Sequence, residues 1–162
     1  MKKIIYLLIT VLAFTSCTED VKFNNPAFQT LKDNVFWRAQ TYKAQTLATG
    51  GLILEGSLGY EKVIFRLPVV SQKTYILGVD NIVTASYSNT LPTQLEGFTT
   101  GANRGSGQIV VTEYNAETKT ISGTFKFNAV NVDDTNVKNN VVNFTEGVFY
   151  KIPVSVNATI NN

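Results

Sequence analysis

The chain has 162 residues, 44% of them apolar, with 14 basic residues against 12 acidic ones, one cysteine and no histidine. A single domain of this size can bury a sizeable core without cross-links, and one cysteine excludes an internal disulfide. The absence of histidine excludes Ser-His-Asp and Cys-His catalytic sites and removes the commonest metal ligand.

The first 17 residues have the pattern of a bacterial lipoprotein signal. Two lysines precede an apolar run over residues 4–14. Such a run has the length of a signal-peptide hydrophobic region, whereas a transmembrane helix needs about 20 apolar residues. The following "FTSC" resembles a lipobox in which Phe14 replaces the more usual leucine. The pattern predicts cleavage of residues 1–16 and lipidation of Cys17. The alternative is a secretory signal that is cut a few residues later.

Lipidation would decide where the protein is found. Several acyl chains on Cys17, palmitate among them, give durable anchoring, whereas a single chain gives only marginal membrane binding. Residues 17–26 would then hold the lipidated cysteine and a tether. Within it, Glu19 and Asp20 resemble the acidic signal that sends some Bacteroidota lipoproteins to the outer face of the outer membrane, although a solvated tether has the same composition. We expect a lipid anchor in the outer membrane, with the domain on its periplasmic or its cell-surface side.

Cleavage would also change the charge of the protein. It removes two of the 14 basic residues, so 12 remain against 12 acidic ones. A chain without net charge has no large positive field to recruit nucleic acid. We expect no nucleic-acid partner, and nothing in the sequence calls for a cofactor.

After the tether, the chain shows the period-two patterns of β-strands. "FQTLKDNVFWRA" predicts a hairpin that turns at Asp33-Asn34, because both residue types tolerate the positive φ of two-residue hairpin turns. That register places four side chains on one face: Phe28, Thr30, Trp37 and Ala39. Further strands are expected in "LILEGS", "KVIFRLPV", "KTYILGV" and "VTASYS", with Gly59 near the turn between the first two. A loop then reaches to residue 107.

The clearest alternation lies in "GQIVVTEYNAETKTISGTFKFNAV", where "NAETK" is the turn. Its apolar positions are Ile121, Gly123, Phe125, Phe127 and Ala129. They alternate with Thr120, Ser122, Thr124, Lys126 and Asn128. Successive strand side chains face opposite ways, so one face is predicted to be buried and the other wet. A loop, "NVDDTNVKNN", separates this strand from "VVNFTEGVFYKI". The sequence predicts one antiparallel all-β domain over residues 27–162, either a β-sandwich or a flattened barrel.

Two prolines constrain the strand order. Proline cannot donate a hydrogen bond to a ladder, and it is therefore confined to strand ends, bulges and edge strands. We expect the strands that contain Pro68 and Pro153 to end at those residues or to lie at a sheet edge.

Several segments together carry a family resemblance. The hairpin sequence is followed by "GLILEGS", "TYILG" with "ASYS", "ISGTFKFNAVN" and "FTEGVFYKIPV". This order, over residues 28–153, resembles a family of small Bacteroidota lipoproteins classed as a domain of unknown function. Glycine often stands where this chain has Asn34, which tolerates the same turn geometry. The resemblance implies a β-rich lipoprotein of the cell envelope and supplies no catalytic residues.

Motifs for catalysis or metal binding are incomplete. A lipidated Cys17 leaves no thiolate for nucleophilic chemistry or for tetrahedral zinc. "EGSLG" at 55–59 lacks the first glycine of a nucleophile elbow, and "GANRGSG" at 101–107 is not followed by the Gly-Lys-Ser/Thr of a phosphate-binding loop. "DDTN" at 133–136 lacks the glycine of an EF-hand calcium loop. We therefore assign no catalytic, cofactor or metal residues.

Paired carboxylates are the one enzymatic device that the composition allows, because glycoside hydrolysis needs only two acids. Glu55, Glu113 and Glu146 lie within predicted strands and are the candidates for inward-facing carboxylates. We assign most of the other acidic residues to turns, strand ends or the tether.

Binding is the favoured class of function. In Phe36-Trp37 and Phe149-Tyr150, neighbours on a strand face opposite ways, so one member of each pair points away from any one layer. An exposed member would contact a protein partner or a sugar ring, and a covered one would belong to the core. We expect a non-enzymatic accessory lipoprotein that binds an envelope protein. The alternatives are a solute- or glycan-binding lipoprotein and, more distantly, a carboxylate-based glycoside hydrolase.

Overall fold

The computed structural model describes residues 25–133 and 140–156, which form eleven β-strands. The predicted lipidation site Cys17 and the acidic residues Glu19 and Asp20 lie outside the described residues. No helix that could cross a membrane occurs in the described ranges. The strands, in chain order, are β1 (Ala27–Lys32), β2 (Val35–Arg38), β3 (Thr41–Thr46), β4 (Leu52–Leu58), β5 (Glu61–Leu67), β6 (Thr74–Leu77), β7 (Thr84–Asn89), β8 (Glu96–Thr99), β9 (Ser106–Asn115), β10 (Thr120–Asn131) and β11 (Val141–Val156).

The strands form two layers that are joined at both corners. One layer has the order β2-β1-β11-β10-β9-β6, and the other has the order β3-β4-β5-β7-β8. The C-terminal part of β11 pairs with β3, and the C-terminal end of β10 pairs with β8, which closes the hydrogen-bonded circuit. The predicted all-β class is therefore confirmed, and the architecture is a sandwich closed at its corners into a flattened barrel. One pair, β11 with β3, is parallel, so the sheet is mixed and not purely antiparallel.

Aromatic side chains hold the two layers together. The Phe65 ring of β5 lies 5.7 Å from Phe28 of β1 and 4.8 Å from Phe125 of β10. Further along the core, Tyr87 of β7 lies 5.5 Å from Phe144 of β11. Burying large aromatic rings on both inner faces supplies much of the hydrophobic stabilisation of such a domain.

The first hairpin follows its sequence prediction. Asp33 and Asn34 form the turn with φ angles of 48° and 65°, and Lys32 pairs with Val35 on either side of it. The four side chains predicted to share a face are all buried: Phe28, Thr30, Trp37 and Ala39. Gly59, with φ of 55°, likewise lies in the turn that joins β4 to β5.

The alternation in β10 is confirmed at its apolar positions, with one exception on the polar side. Ile121, Gly123, Phe125, Phe127 and Ala129 are buried. Ser122, predicted to face solvent, is buried too. The β9–β10 register shifts between Ser122 and Gly123, and the Ser122 hydroxyl accepts a 3.0 Å hydrogen bond from the Lys151 amide. The bulge thus directs the Ser122 side chain inward, where its hydroxyl binds a backbone amide of β11.

Two short strands, β3 and β8, were not predicted from the sequence. β3 follows the first hairpin directly, and β8 lies inside the region that was predicted to be a loop reaching residue 107. Both corner contacts involve these strands. β3 pairs with the nearby β4 and β8 with the nearby β7, and each also pairs with a strand that is distant in sequence, β11 or β10. A local pattern does not reveal such distant pairing.

The two prolines behave differently. β5 ends at Leu67, directly before Pro68, as predicted. The prediction is wrong for Pro153, which lies inside the central strand β11. Pro153 faces Thr120, the first residue of β10, and the next residue, Val154, begins the ladder with β3. Its missing N–H therefore falls where β11 changes partners, which is why a central strand tolerates it.

Candidate functional site

One end of the sandwich is defined here as the distal end. It comprises the turns at 33–34 and 59–60, the β7–β8 loop at 90–95, and the described residues that flank the β10–β11 connection, Val132 and Val141 among them. β1 begins opposite Tyr150 and runs to Lys32, opposite Phe144 near the start of β11. The chain therefore enters the domain away from the distal end and runs towards it.

Exposed apolar side chains gather at this end. Among the large apolar side chains that are exposed, six lie in its turns or next to them: Val35, Phe36, Tyr60, Leu95, Val132 and Val141. Leu95 is 72% exposed and Val132 is 56% exposed. Both line a surface depression of about 280 Å³, and the Val132 amide donates a 2.8 Å hydrogen bond to the Gly97 carbonyl beside it. Exposed apolar groups that cluster in this way are typical of interaction surfaces.

A polar cluster ties the two layers together beneath this end. The Glu61 carboxylate accepts hydrogen bonds from the Trp37 indole at 2.6 Å and from the Tyr87 hydroxyl at 2.6 Å, and it pairs with the Lys32 ammonium. Lys32 also lies 4.8 Å from the centre of the Tyr87 ring. The four side chains come from β1, β2, β5 and β7, so this cluster joins the first hairpin to the opposite layer.

The environment shifts the pKa of both acidic groups in the cluster. Burial, the largest single influence, raises the pKa of Glu61, but hydrogen bonds from Lys32, Tyr87 and Trp37 and the charge of Lys32 outweigh burial, and the net pKa is below its ordinary value. Burial, and then the hydrogen bond and charge of Glu61, raise the pKa of Tyr87 far above its ordinary value. Both shifts leave Glu61 ionised and Tyr87 protonated at neutral pH, as such groups ordinarily are.

Beside the cluster lies a second depression, of about 190 Å³, whose lining includes Lys32, Asp33, Tyr87 and Glu96. Glu96 also lines the depression that holds Leu95 and Val132. The distal end therefore presents two adjoining shallow depressions, one polar and one with apolar sides. Among the described residues, no group of three or more His, Cys, Asp or Glu side chains is placed to hold a metal ion.

The structure separates the four aromatic candidates. Phe36 is 63% exposed at the distal end, whereas Trp37 and Phe149 are core residues, 3% and 0% exposed. Tyr150 is half-buried on the outer face, with the Lys151 ammonium 5.3 Å from its ring centre. One member of each pair points outward, as expected, but Trp37 and Phe149 are unavailable as surface contacts. Phe36 and Tyr150 lie on different strands and are not brought together.

None of the three candidates for inward-facing carboxylates points into the core. Glu55 lies on the outer face of β4, where Lys62 and Lys43 pair with it at 3.2 and 3.6 Å. Glu113 and Glu146 are exposed, and Glu146 has a positive φ of 53° at an irregular point of β11.

The carboxylate that points between the two layers is instead Glu61, which the sequence analysis did not single out. The period-two pattern of β5 contains the information needed to predict the orientation of Glu61. Glu61 shares the period-two face of Val63, Phe65 and Leu67, all of which are buried. Extending the apolar face of β5 by one step towards the turn would have predicted that Glu61 points inward.

The two loop motifs also have structural explanations. Gly101 and Arg104 exchange backbone hydrogen bonds of 2.9 and 3.0 Å, so the glycine-rich segment at 101–107 makes a tight turn before β9. Of the acidic motif at 133–136, only Asp133 is described. The Asp133 amide donates a 2.9 Å hydrogen bond to the Asn131 side chain.

Sequence comparison places the chain in a family. The profile described as "Domain of unknown function (DUF6252)" matches residues 24–153, which include the strands from β1 into β11. The chain belongs to the DUF6252 family. This membership confirms the resemblance to a family of unknown function, whereas lipidation and a Bacteroidota origin stay predictions. No curated protein and no solved structure is similar enough to the DUF6252 chain to be matched.

Proposed function

We propose that this protein is a lipid-anchored protein of the cell envelope, held in the outer membrane through Cys17, which binds a protein partner and does not catalyse a reaction. The observation that carries the proposal is the gathering of exposed apolar side chains at the distal end. Apolar groups that remain exposed on a folded domain, rimmed by polar residues, suit a protein contact.

The position of this surface agrees with a membrane tether. Eight residue steps separate Cys17 from Asn25, the first described residue. A fully extended chain of that length spans about 26–29 Å. A domain that is tethered on its opposite side can therefore present the distal end away from the lipid.

The polar chemistry of this end favours binding over catalysis. Glu61 is held by three hydrogen-bond donors, and its pKa lies below the ordinary value. A glycosidase acid would need a raised pKa and a second carboxylate at a defined separation. None of the three carboxylates expected to face inward reaches the core, which weakens the hydrolase alternative.

The surface gives less support to glycan binding. Two open depressions on the outer face of β9, β10 and β11, of about 240 and 420 Å³, share Lys126. The aromatic residues in their linings, Phe125, Phe127 and Phe144, are core residues whose side chains are buried. Sugar rings are commonly held on exposed aromatic faces. The strongly exposed aromatic side chains in the described part of the chain, Phe36 and Tyr60, are at the distal end and not beside these depressions.

The test is cross-linked co-purification of the tagged full-length chain from its native membranes, alongside the Cys17→Ala variant. We expect the wild-type protein to incorporate labelled palmitate and to recover one stoichiometric envelope protein. Cys17→Ala should lose the label and leave the membrane fraction. Unchanged membrane retention of Cys17→Ala would contradict the lipid anchor, and the absence of any partner above background would contradict the binding role.

A further inference from the structure

We infer that the free edge of β2 is the docking site for an extended segment of the protein partner, which adds to the sheet as an extra strand. That segment would place an apolar side chain against Phe36 and a carboxylate against Arg38. This inference rests on the proposed function, because it specifies how the partner is bound. Strand addition uses backbone hydrogen bonds for affinity and alternate side chains for specificity.

The hydrogen bonding of the first hairpin shows which backbone groups of β2 are free. The Ala39 amide donates to the Phe28 carbonyl at 2.9 Å, and Thr30 and Lys32 lie opposite Trp37 and Val35. In an antiparallel pair, backbone groups point alternately towards the partner strand and away from it. The odd-numbered residues of β2 therefore bond to β1, and the N–H and C=O groups of Phe36 and Arg38 point away from the sheet. β2 lies at the end of the strand order, with β1 as its only paired strand among those described.

The side chains along this edge fit an amphipathic segment. Phe36 is 63% exposed and lies opposite the half-buried Leu31, so an apolar side chain can pack on it. Arg38 is exposed, and its guanidinium donates to the neutral Gln29 side chain at 3.1 Å. No carboxylate in the described part of the chain lies within 4 Å of Arg38. Charge complementarity therefore calls for an acidic residue on the incoming strand.

This requirement also decides between a different protein and a second copy of the chain. β2 has the sequence Val-Phe-Trp-Arg and contains no acidic residue. Pairing β2 with β2 of a second copy would leave both Arg38 charges without a carboxylate. The edge carries no proline and no bulge against β1, while its length of four residues and the Arg38 charge limit indiscriminate pairing with other edges.

The opposite edge strand, β6, supplies a matched control. The Val111 amide donates to the Lys73 carbonyl at 3.0 Å, so by the same alternation the backbone N–H of Ile76 points away from the sheet. Ile76→Pro and Arg38→Pro each remove one outward-facing donor from an edge strand, where proline is tolerated. Arg38→Ala removes the charge and keeps the donor.

In the experiment, a phage-displayed library of short random peptides is panned against the full-length lipidated chain, which is purified in detergent. The affinity of an enriched peptide is then measured for the four proteins. We expect the enriched peptides to alternate apolar residues with at least one acidic residue and to bind wild type and Ile76→Pro equally. Arg38→Pro should lose about tenfold in affinity relative to Arg38→Ala, since it lacks one backbone hydrogen bond.

Hydrogen exchange provides a readout that needs no variant. The amides of Phe36 and Arg38 should exchange rapidly in the free protein and become protected when the peptide is bound. Equal binding by Arg38→Pro and Arg38→Ala, equal loss in Ile76→Pro, or unchanged exchange at both amides would overturn the inference. If the docking test fails but the wild-type chain still recovers a stoichiometric partner in the co-purification from native membranes, the proposed function stands and only the docking site on β2 is wrong. If no partner is recovered either, both fail.

Discussion

The indole nitrogen of Trp37 donates a 2.6 Å hydrogen bond to Oε2 of Glu61, across the interface between the two layers. Trp37 belongs to the edge strand β2 and Glu61 begins β5, so this bond fixes the first hairpin over the opposite layer. The same carboxylate holds Lys32 and Tyr87. One side chain thus positions the strand whose outer edge we propose as the docking site.

Replacing this carboxylate should weaken the domain. We expect Glu61→Gln to lower the free energy of unfolding at pH 7 by about 1–2 kcal/mol, because it removes the charge from the hydrogen bonds of a partly exposed cluster. Urea unfolding followed by the fluorescence of Trp37, the only tryptophan, measures this loss. Glu117→Gln, in an exposed turn, is the control and should leave stability unchanged.

The same cluster should make stability depend on acid. The pKa of Glu61 in the folded protein is below its ordinary value, so its contribution to stability is fully present above the unfolded pKa of about 4.3 and is lost as the pH falls through the folded pKa. We expect the stability difference between wild type and Glu61→Gln to shrink when unfolding is measured from pH 6 down to about pH 3. A constant difference would show that Glu61 does not act through its charge.

The hairpin turn should tolerate glycine and reject a β-branched residue at Asn34. Asn34 has a φ of 65°, a conformation that costs about 1–2 kcal/mol for residues other than glycine, asparagine and aspartate. We expect Asn34→Gly to match or slightly exceed wild-type stability and Asn34→Val to lose about 1–2 kcal/mol in urea unfolding. Equal stability of the two variants would contradict the turn geometry.

Close packing should make Gly147 intolerant of a methyl group. A Cβ at Gly147 would lie 2.4 Å from the Phe125 ring, whereas one at Gly97 would meet a single methyl group of Val132 at 3.2 Å. We expect Gly147→Ala to lose about 2–3 kcal/mol of stability through overpacking, and Gly97→Ala to lose much less. Thermal unfolding of both variants checks this, and a small loss at Gly147 would show that β11 lies further from Phe125 than described.

The sequence pattern was sufficient to predict those turns and strand faces that depend on neighbouring residues alone. Asp33-Asn34 marked its turn, and the apolar positions of β10 marked the buried face. The parallel pairing of β11 with β3 was not predictable, because β11 changes partner at Pro153 and that change depends on strands more than a hundred residues apart in the chain. Ser122 was misassigned because a bulge interrupts the alternation on which the prediction rests.

The candidate site was harder to predict than the fold. Its polar centre combines Lys32, Trp37, Glu61 and Tyr87, which come from four strands and share no sequence motif. Phe36 could be identified as a candidate, because adjacent aromatic residues on a strand face opposite ways. Which member of the pair faces solvent depends on the layer packed against β2, and that information is not local.

The measurement that tests the central claim most directly is quantitative cross-linked co-purification from native membranes with two matched double variants. Leu95→Ser with Val132→Ser removes exposed apolar side chains from the distal end, and Val79→Ser with Ile82→Ser removes equally exposed ones from the β6–β7 loop. We predict that the distal variant loses the partner protein that wild type and the loop variant retain, with all three remaining folded and membrane-bound. Equal recovery by both variants, or loss in the loop variant alone, would contradict the assignment of the distal end as the binding surface.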